Sequence, residues 1–135
     1  MDYFLAKTDP ETYSIHNFAK DKVTVWDGVR SGAAVIALKA MKKGDRVLIY
    51  HSQGEGAIRG LATVIKQIGA DPEDSRTWLV EFKLLKVFTE PYITLKQIKA
   101  TGKFQKLPLV YQSRLSTMPL IPDFISWLKK QGLDI

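Results

Sequence analysis

Two long strand-type runs follow one another in the middle of this chain, and they restrict its fold more than any other feature. From Ala57 to Ile68, apolar residues stand at Ile58, Leu61 or Ala62, Val64 and Ile68, and Gly60 leaves room for a bulge. From Thr77 to Phe88, Trp78, Val80, Phe82 and Leu84 share one face before Leu85-Lys86-Val87 shifts the phase. The stretch Asp71-Pro72-Glu73-Asp74-Ser75 reads as the loop between them. Shorter runs at Tyr3–Ala6 and Arg46–Tyr50 complete the strand signal. The second of these is apolar enough to be buried on both faces.

Helix signals are short and lie between the strands. Ser14 caps a helix through about Lys20, with Ile15, Phe18 and Ala19 spaced to share a face and His16 turned to solvent. Ser31 caps a second helix, with Val35, Leu38 and Met41 as its apolar stripe, and Gly44-Asp45 stops it. Thr94 opens a third through Ala100, closed by Gly102. Pro122 begins a fourth, whose Phe124, Ile125 and Leu128 face inward. Leu109 to Met118 reads as a compact loop, and His51 to Gly56 as a polar, glycine-rich one. The pattern predicts one α+β domain over residues 1–135, with four to six strands curled into a barrel-like sheet flanked by short helices.

Composition then removes whole classes of function. There is no cysteine, hence no disulfide framework, no thiolate metal site and no cysteine nucleophile, and two histidines alone make a poor zinc site. No phosphate-cradling glycine motif is present. Met1 is followed at once by Asp2 and a strand pattern instead of a basic region and a long apolar stretch. That leads to the expectation of a cytoplasmic protein, a monomer, with no secretory leader and no membrane partner. The net charge of +6 is unevenly placed. Between Lys83 and Lys130 nine Lys/Arg face Glu90 and Asp123 alone, and the remainder is nearly neutral. Such a basic third suits a phosphate-facing surface, with Lys96, Lys99, Lys103 and Lys106 as the candidate contacts.

The candidate site begins at Val25-Trp26-Asp27-Gly28-Val29-Arg30-Ser31. An indole, a glycine and a guanidinium within five residues offer a stacking face, a close-approaching backbone and a fixed fork of donors. A nucleobase is a ligand of that shape and polarity. The same residues also fit a core tryptophan, a turn glycine and a solvated arginine, and the stretch alone leaves both readings open. Three further segments put small, polar or aromatic groups where strands finish: Lys7-Thr8-Asp9-Pro10, Tyr50-His51-Ser52 and Gln112-Ser113-Arg114. Strand ends of a barrel are where small pockets are built, and a base turned out of its stack needs this inventory of donors, acceptors and a clamp. His51 fits either a hydrogen-bonding group at the pocket mouth or a satisfied structural histidine.

The order of five blocks carries a resemblance. Tyr3–Pro10, Trp26–Arg30, Ala40-Met41-Lys42-Lys43-Gly44-Asp45, Tyr50-His51-Ser52 and Gln112–Pro119 resemble the EVE domain, a PUA-like fold related to YTH domains, over nearly the whole chain. The resemblance implies a small curled β-barrel with flanking helices that recognises a modified base in DNA or RNA by extruding it into an aromatic-lined pocket. By similarity, Lys7, Thr8, Trp26, Gly28, Val29, Arg30, His51, Ser52, Ser113 and Arg114 would line that pocket, with no metal, no cofactor and no catalytic residue. Two stretches depart from the family pattern. Lys7-Thr8-Asp9-Pro10 stands for the usual Lys-Ser-Glu-Pro, and Ser31–Ile36 replaces a more polar run. The alternative is a small-ligand protein or a hydrolase-like enzyme on the same fold, with His51 serving Ser113 or Ser116.

Overall fold

The fold is built outward from the long strand pair. The structure, a computed structural model, describes residues 1–54 and 56–135, so Glu55 of the His51–Gly56 loop lies outside the described residues. Strands β1 (Tyr3–Thr8), β2 (Val23–Trp26), β3 (Arg46–His51), β4 (Ala57–Asp71), β5 (Asp74–Val87), β6 (Ile93–Thr94) and β7 (Thr117–Pro119) form one mixed sheet in the order β2-β5-β4-β3-β1-β7, with β6 against β4. The pairing of β1 with β3 is parallel and the rest are antiparallel. Helices α1 (Ile15–Asp21), α2 (Gly32–Ala40), α3 (Leu95–Ala100), α4 (Pro108–Tyr111) and α5 (Pro122–Lys130) flank it.

The sheet curls because β4 and β5 slip repeatedly against each other. Their register shifts at Leu61/Ala62, Val64/Lys66, Gln67/Gly69 and Ala70/Asp71, and each shift bends and twists the ribbon. A further bulge, between Ile49 and Tyr50, sits opposite Arg59. The neighbouring Gly60 is required there: a side chain would run into Ile15 of α1 and come within 3.0 Å of the Lys86 carbonyl. This is the bulge expected from the sequence. The residues enclosed by the curl make one core cluster, including Leu5, Phe18, Leu48, Ile58, Phe82 and Phe124.

Local capping chemistry sets the helix starts. Ser14 and Thr94 each form a reciprocal box, with Asn17 and Gln97 respectively, and Ser31 accepts from the Ala34 N–H. Asp45, nearly fully buried, ties the turn before β3. Its carboxylate accepts from the backbone N–H of Asp2 (3.0 Å) and of Lys42 (2.8 Å).

Four expectations change. Asp71–Ser75 is not a loop: strand pairing runs to Asp71↔Asp74 and leaves only Pro72 and Glu73 between the strands. Among the described residues seven strands stand where four to six were expected, because β6 and β7 span only two and three residues. Leu109–Met118 is no plain loop, since α4 runs to Tyr111 and β7 begins at Thr117. Ala19 does not join Ile15 and Phe18 inside; it is exposed.

Candidate functional site

The ends of β1 and β2 and the turns beyond them enclose a cavity of about 520 Å³. Of the candidate pocket residues, Lys7, Thr8, Trp26, Gly28 and Val29 line it. Asp9, Thr12, Tyr13, Thr24, Val25, Asp27 and Ser116 also line it; Asp9, Val25 and Asp27 fall in the stretches singled out from the sequence without being assigned to the pocket, and Ser116 was read only as an alternative nucleophile. Thr24 was legible in the sequence, since two positions along a strand from Trp26 put both side chains on one face. Ser116 was not, because it reaches the cavity through the pairing of β7 with β1.

Trp26 is a core residue before it is a wall. It is 6% exposed, and its ring lies 5.3 Å from Phe82, 6.2 Å edge-on from Tyr13 and 6.3 Å from Phe18. Its indole N–H meets no protein acceptor among the described residues, yet it is not sealed from solvent. The tryptophan therefore gives the cavity part of its wall while its body packs in the core. Gly28 turns the chain at the rim with φ +75°, a conformation unfavourable for other residues. Burial holds the Lys7 ammonium below its usual range, and the group donates to the Ser113 carbonyl at 2.9 Å. Thr8 donates its hydroxyl to the Tyr13 carbonyl at 2.7 Å, fixing its oxygen at the cavity wall.

Other expected site residues lie elsewhere. Arg30 leaves the cavity: its Nε lies 3.0 Å from Asp74 at the β4–β5 turn, and its side chain is 61% exposed. Hydrogen bonds from Arg76, and then the nearby Arg30 charge, hold the Asp74 carboxyl down to about 2. His51 is 5% exposed and does not line this cavity. Its Nε2 accepts from the Ile15 N–H at 3.0 Å, and its Nδ1 lies 3.1 Å from Arg59 Nη1. Burial, helped by the Arg59 and His16 charges, pushes it down to about 4, so the ring is neutral at pH 7. Ser52 is bound to the Thr8 carbonyl by its N–H (3.0 Å) and its hydroxyl (3.3 Å). Ser113 and Arg114 are exposed in the turn after α4 and also lie off the cavity wall. The proposed partnership of His51 with Ser113 or Ser116 is not assembled, because both ring nitrogens are already occupied by Ile15 and Arg59.

The four candidate phosphate contacts share one region. Lys96 and Lys99 lie on α3 and Lys103 and Lys106 in the turns after it; all four are exposed. Among the described residues none of them forms an ion pair.

The family model for the EVE domain matches residues 2–131. This chain belongs to the EVE domain family. A sequence relative of this EVE domain is human thymocyte nuclear protein 1, 28% identical over 96% of the chain and 74% of the relative. A hypothetical protein from Leishmania major has a similar structure, at TM-score 0.87 and 30% identity, covering 98% of this chain and 94% of that one. The human THYN1 protein, solved in complex with 5-methylcytosine-containing DNA, matches at TM-score 0.86 and 22% identity, covering 100% and 99%. The Mmi1 YTH domain, solved with RNA, shares the fold more distantly, at TM-score 0.57 and 20% identity over 96% and 76%.

Proposed function

We propose that this EVE domain is a nucleic-acid-binding module that takes a modified base, turned out of its stack, into the Lys7–Trp26 cavity. One observation carries the reading. At the open ends of β1 and β2, Trp26 lines a cavity of about 520 Å³ together with Lys7, Thr8, Asp9 and Asp27, so aromatic, cationic, hydroxyl-bearing and acidic residues share one wall. An extruded base is recognised by hydrogen bonds to its pairing edge and by apolar contact with its faces. A family relative of the same fold was solved on methylated DNA, which supports the same ligand class here. The exposed lysines of α3 and the turns after it supply attraction to phosphates, and the module acts as a monomer without turnover.

Anisotropy titrations with DNA and RNA oligonucleotides that differ only in one base, cytosine or 5-methylcytosine among others, test this. A modified base should bind more tightly than its parent, and Thr8→Val should erase the difference. Equal affinity across the panel, or consumption of a small substrate in the absence of nucleic acid, would refute it.

A further inference from the structure

A second cavity, of about 440 Å³, borders the same β1–α1 connection: Pro10 and Ser14 line it, while Asp9, Thr12 and Tyr13 line the first. Its chemistry centres on Arg59, placed inward by the β3–β4 bulge. The guanidinium lies over the Tyr92 ring at 4.0 Å, and Nη2 donates to the Tyr92 hydroxyl at 3.1 Å. Nε is sealed from solvent with no hydrogen-bond partner among the described residues, so a ligand in the cavity can meet only the Nη edge of the guanidinium. Arg59 forms no ion pair among those residues, although Glu90 also lines the cavity. A partly desolvated cation without a counter-charge is unfavourable, and a buried donor without an acceptor is unfavourable too.

His51 sharpens the deficit. If Nε2 accepts from the Ile15 N–H, the proton of the neutral ring sits on Nδ1, which then faces the Arg59 Nη1 donor at 3.1 Å. The other tautomer moves the same donor–donor conflict to Ile15. Neither arrangement satisfies both contacts, so the site lacks an acceptor. We propose that this cavity binds a phosphate group, whose oxygens accept from the Arg59 guanidinium, the Tyr92 hydroxyl and the Gln53 amide. The Tyr92 oxygen already accepts from Arg59, which leaves its own proton to donate. Guanidinium suits this role because its planar fork matches two phosphate oxygens at once. Glu90, which lines the same cavity, opposes the anion and keeps the affinity weak. The phosphate can be free or part of a nucleic-acid backbone, and in the second case the proposal rests on the function proposed above.

NMR titration of the labelled protein with inorganic phosphate, against chloride at equal ionic strength, tests the site itself. Saturable shifts of the Arg59 guanidinium and His51 ring resonances are expected with phosphate and not with chloride. Arg59→Gln should weaken binding by about tenfold or more, and Arg59→Lys, which keeps the charge and loses the fork, should recover part of it. The wild-type titration decides even if Arg59→Gln fails to fold. Oligonucleotides separate the sources. For a backbone phosphate, Arg59→Gln weakens modified and unmodified strands by the same factor and leaves their ratio unchanged. For free phosphate alone, the shifts appear without any effect of the variant on oligonucleotides. Loss of base discrimination in the wild type, with saturable phosphate shifts retained, would count against the base reading and leave the phosphate site standing. No saturable shift up to about 50 mM phosphate, an affinity too weak to matter, would overturn the proposal.

Discussion

Truncating Trp26 to alanine should damage the fold as well as binding. The side chain is 6% exposed and packs against three aromatic rings, at 5.3, 6.2 and 6.3 Å. Cutting a buried tryptophan to alanine costs about 3–5 kcal/mol. With unfolding entropy near 2.1 cal/mol/K per residue, a chain of 135 residues loses about 3.5 °C of Tm per kcal/mol, so the fall should be about 10–18 °C. Trp26→Phe separates the wall from the core, because it keeps an aromatic body against Phe82 and removes the indole N–H. If that N–H donates to the bound base, Trp26→Phe should weaken the modified oligonucleotide by about 0.5–1.5 kcal/mol, one neutral hydrogen bond. Calorimetry of both variants and oligonucleotide titration at low temperature measure the two effects separately. An alanine variant that melts within a few degrees of wild type would refute the core role. Unchanged affinity in the phenylalanine variant would refute the donor role.

The remaining predictions concern charge and loop order. Replacing Lys96, Lys99, Lys103 and Lys106 together by alanine should weaken every oligonucleotide alike and lower the slope of log K against log salt by about 0.7–0.9 per lost phosphate contact; an unchanged slope would show that these lysines face away from the strand. His51 is held down to about 4 when folded against an ordinary 6.5, so the unfolded chain takes up its proton first. The His51 contribution to stability is therefore complete above about pH 6.5 and is lost as pH falls toward 4. Denaturant titrations at pH 7 and pH 5 should show a larger loss in wild type than in His51→Gln, and equal losses would contradict the buried, neutral ring. Lys7→Met removes the donor to the Ser113 carbonyl and should speed hydrogen exchange in the Gln112–Ser116 turn; unchanged exchange would mean that the turn is held without it.

What the sequence disclosed follows the range of the forces involved. Ser14, Ser31, Thr94 and Pro122 mark helix starts through contacts within one turn, so reading them needs no tertiary knowledge. The two-residue turn at Pro72–Glu73 was hidden because polar residues extend β4 and β5 through slipped pairings that only the partner strand defines. β6 and β7 carry too few residues for a period to show, and pairing with β4 and β1 respectively makes each a strand. The site divides the same way. Lys7, Thr8, Trp26, Gly28 and Val29 could be read because strand ends and their turns are local features. Tyr13 and Ser116 reach the cavity only through packing that no short window contains. Arg30 and His51 were drawn away by partners distant in sequence, Asp74 for one and Ile15 and Arg59 for the other. Arg59 gave no sequence signal, since an arginine in a strand pattern looks like an ordinary solvated charge.

The central claim, that a modified base enters the cavity against Trp26, is tested most directly by the indole N–H resonances during an oligonucleotide titration. Trp78 serves as an internal control, because its indole N–H is bonded to Gln67 on the β4–β5 ribbon. An oligonucleotide with one modified base should shift the Trp26 resonance saturably, leave Trp78 in place, and move Trp26 far more than the unmodified strand of the same sequence does. A Trp26 resonance that stays fixed while the modified strand saturates the protein would contradict the account, because the base would then be bound somewhere else.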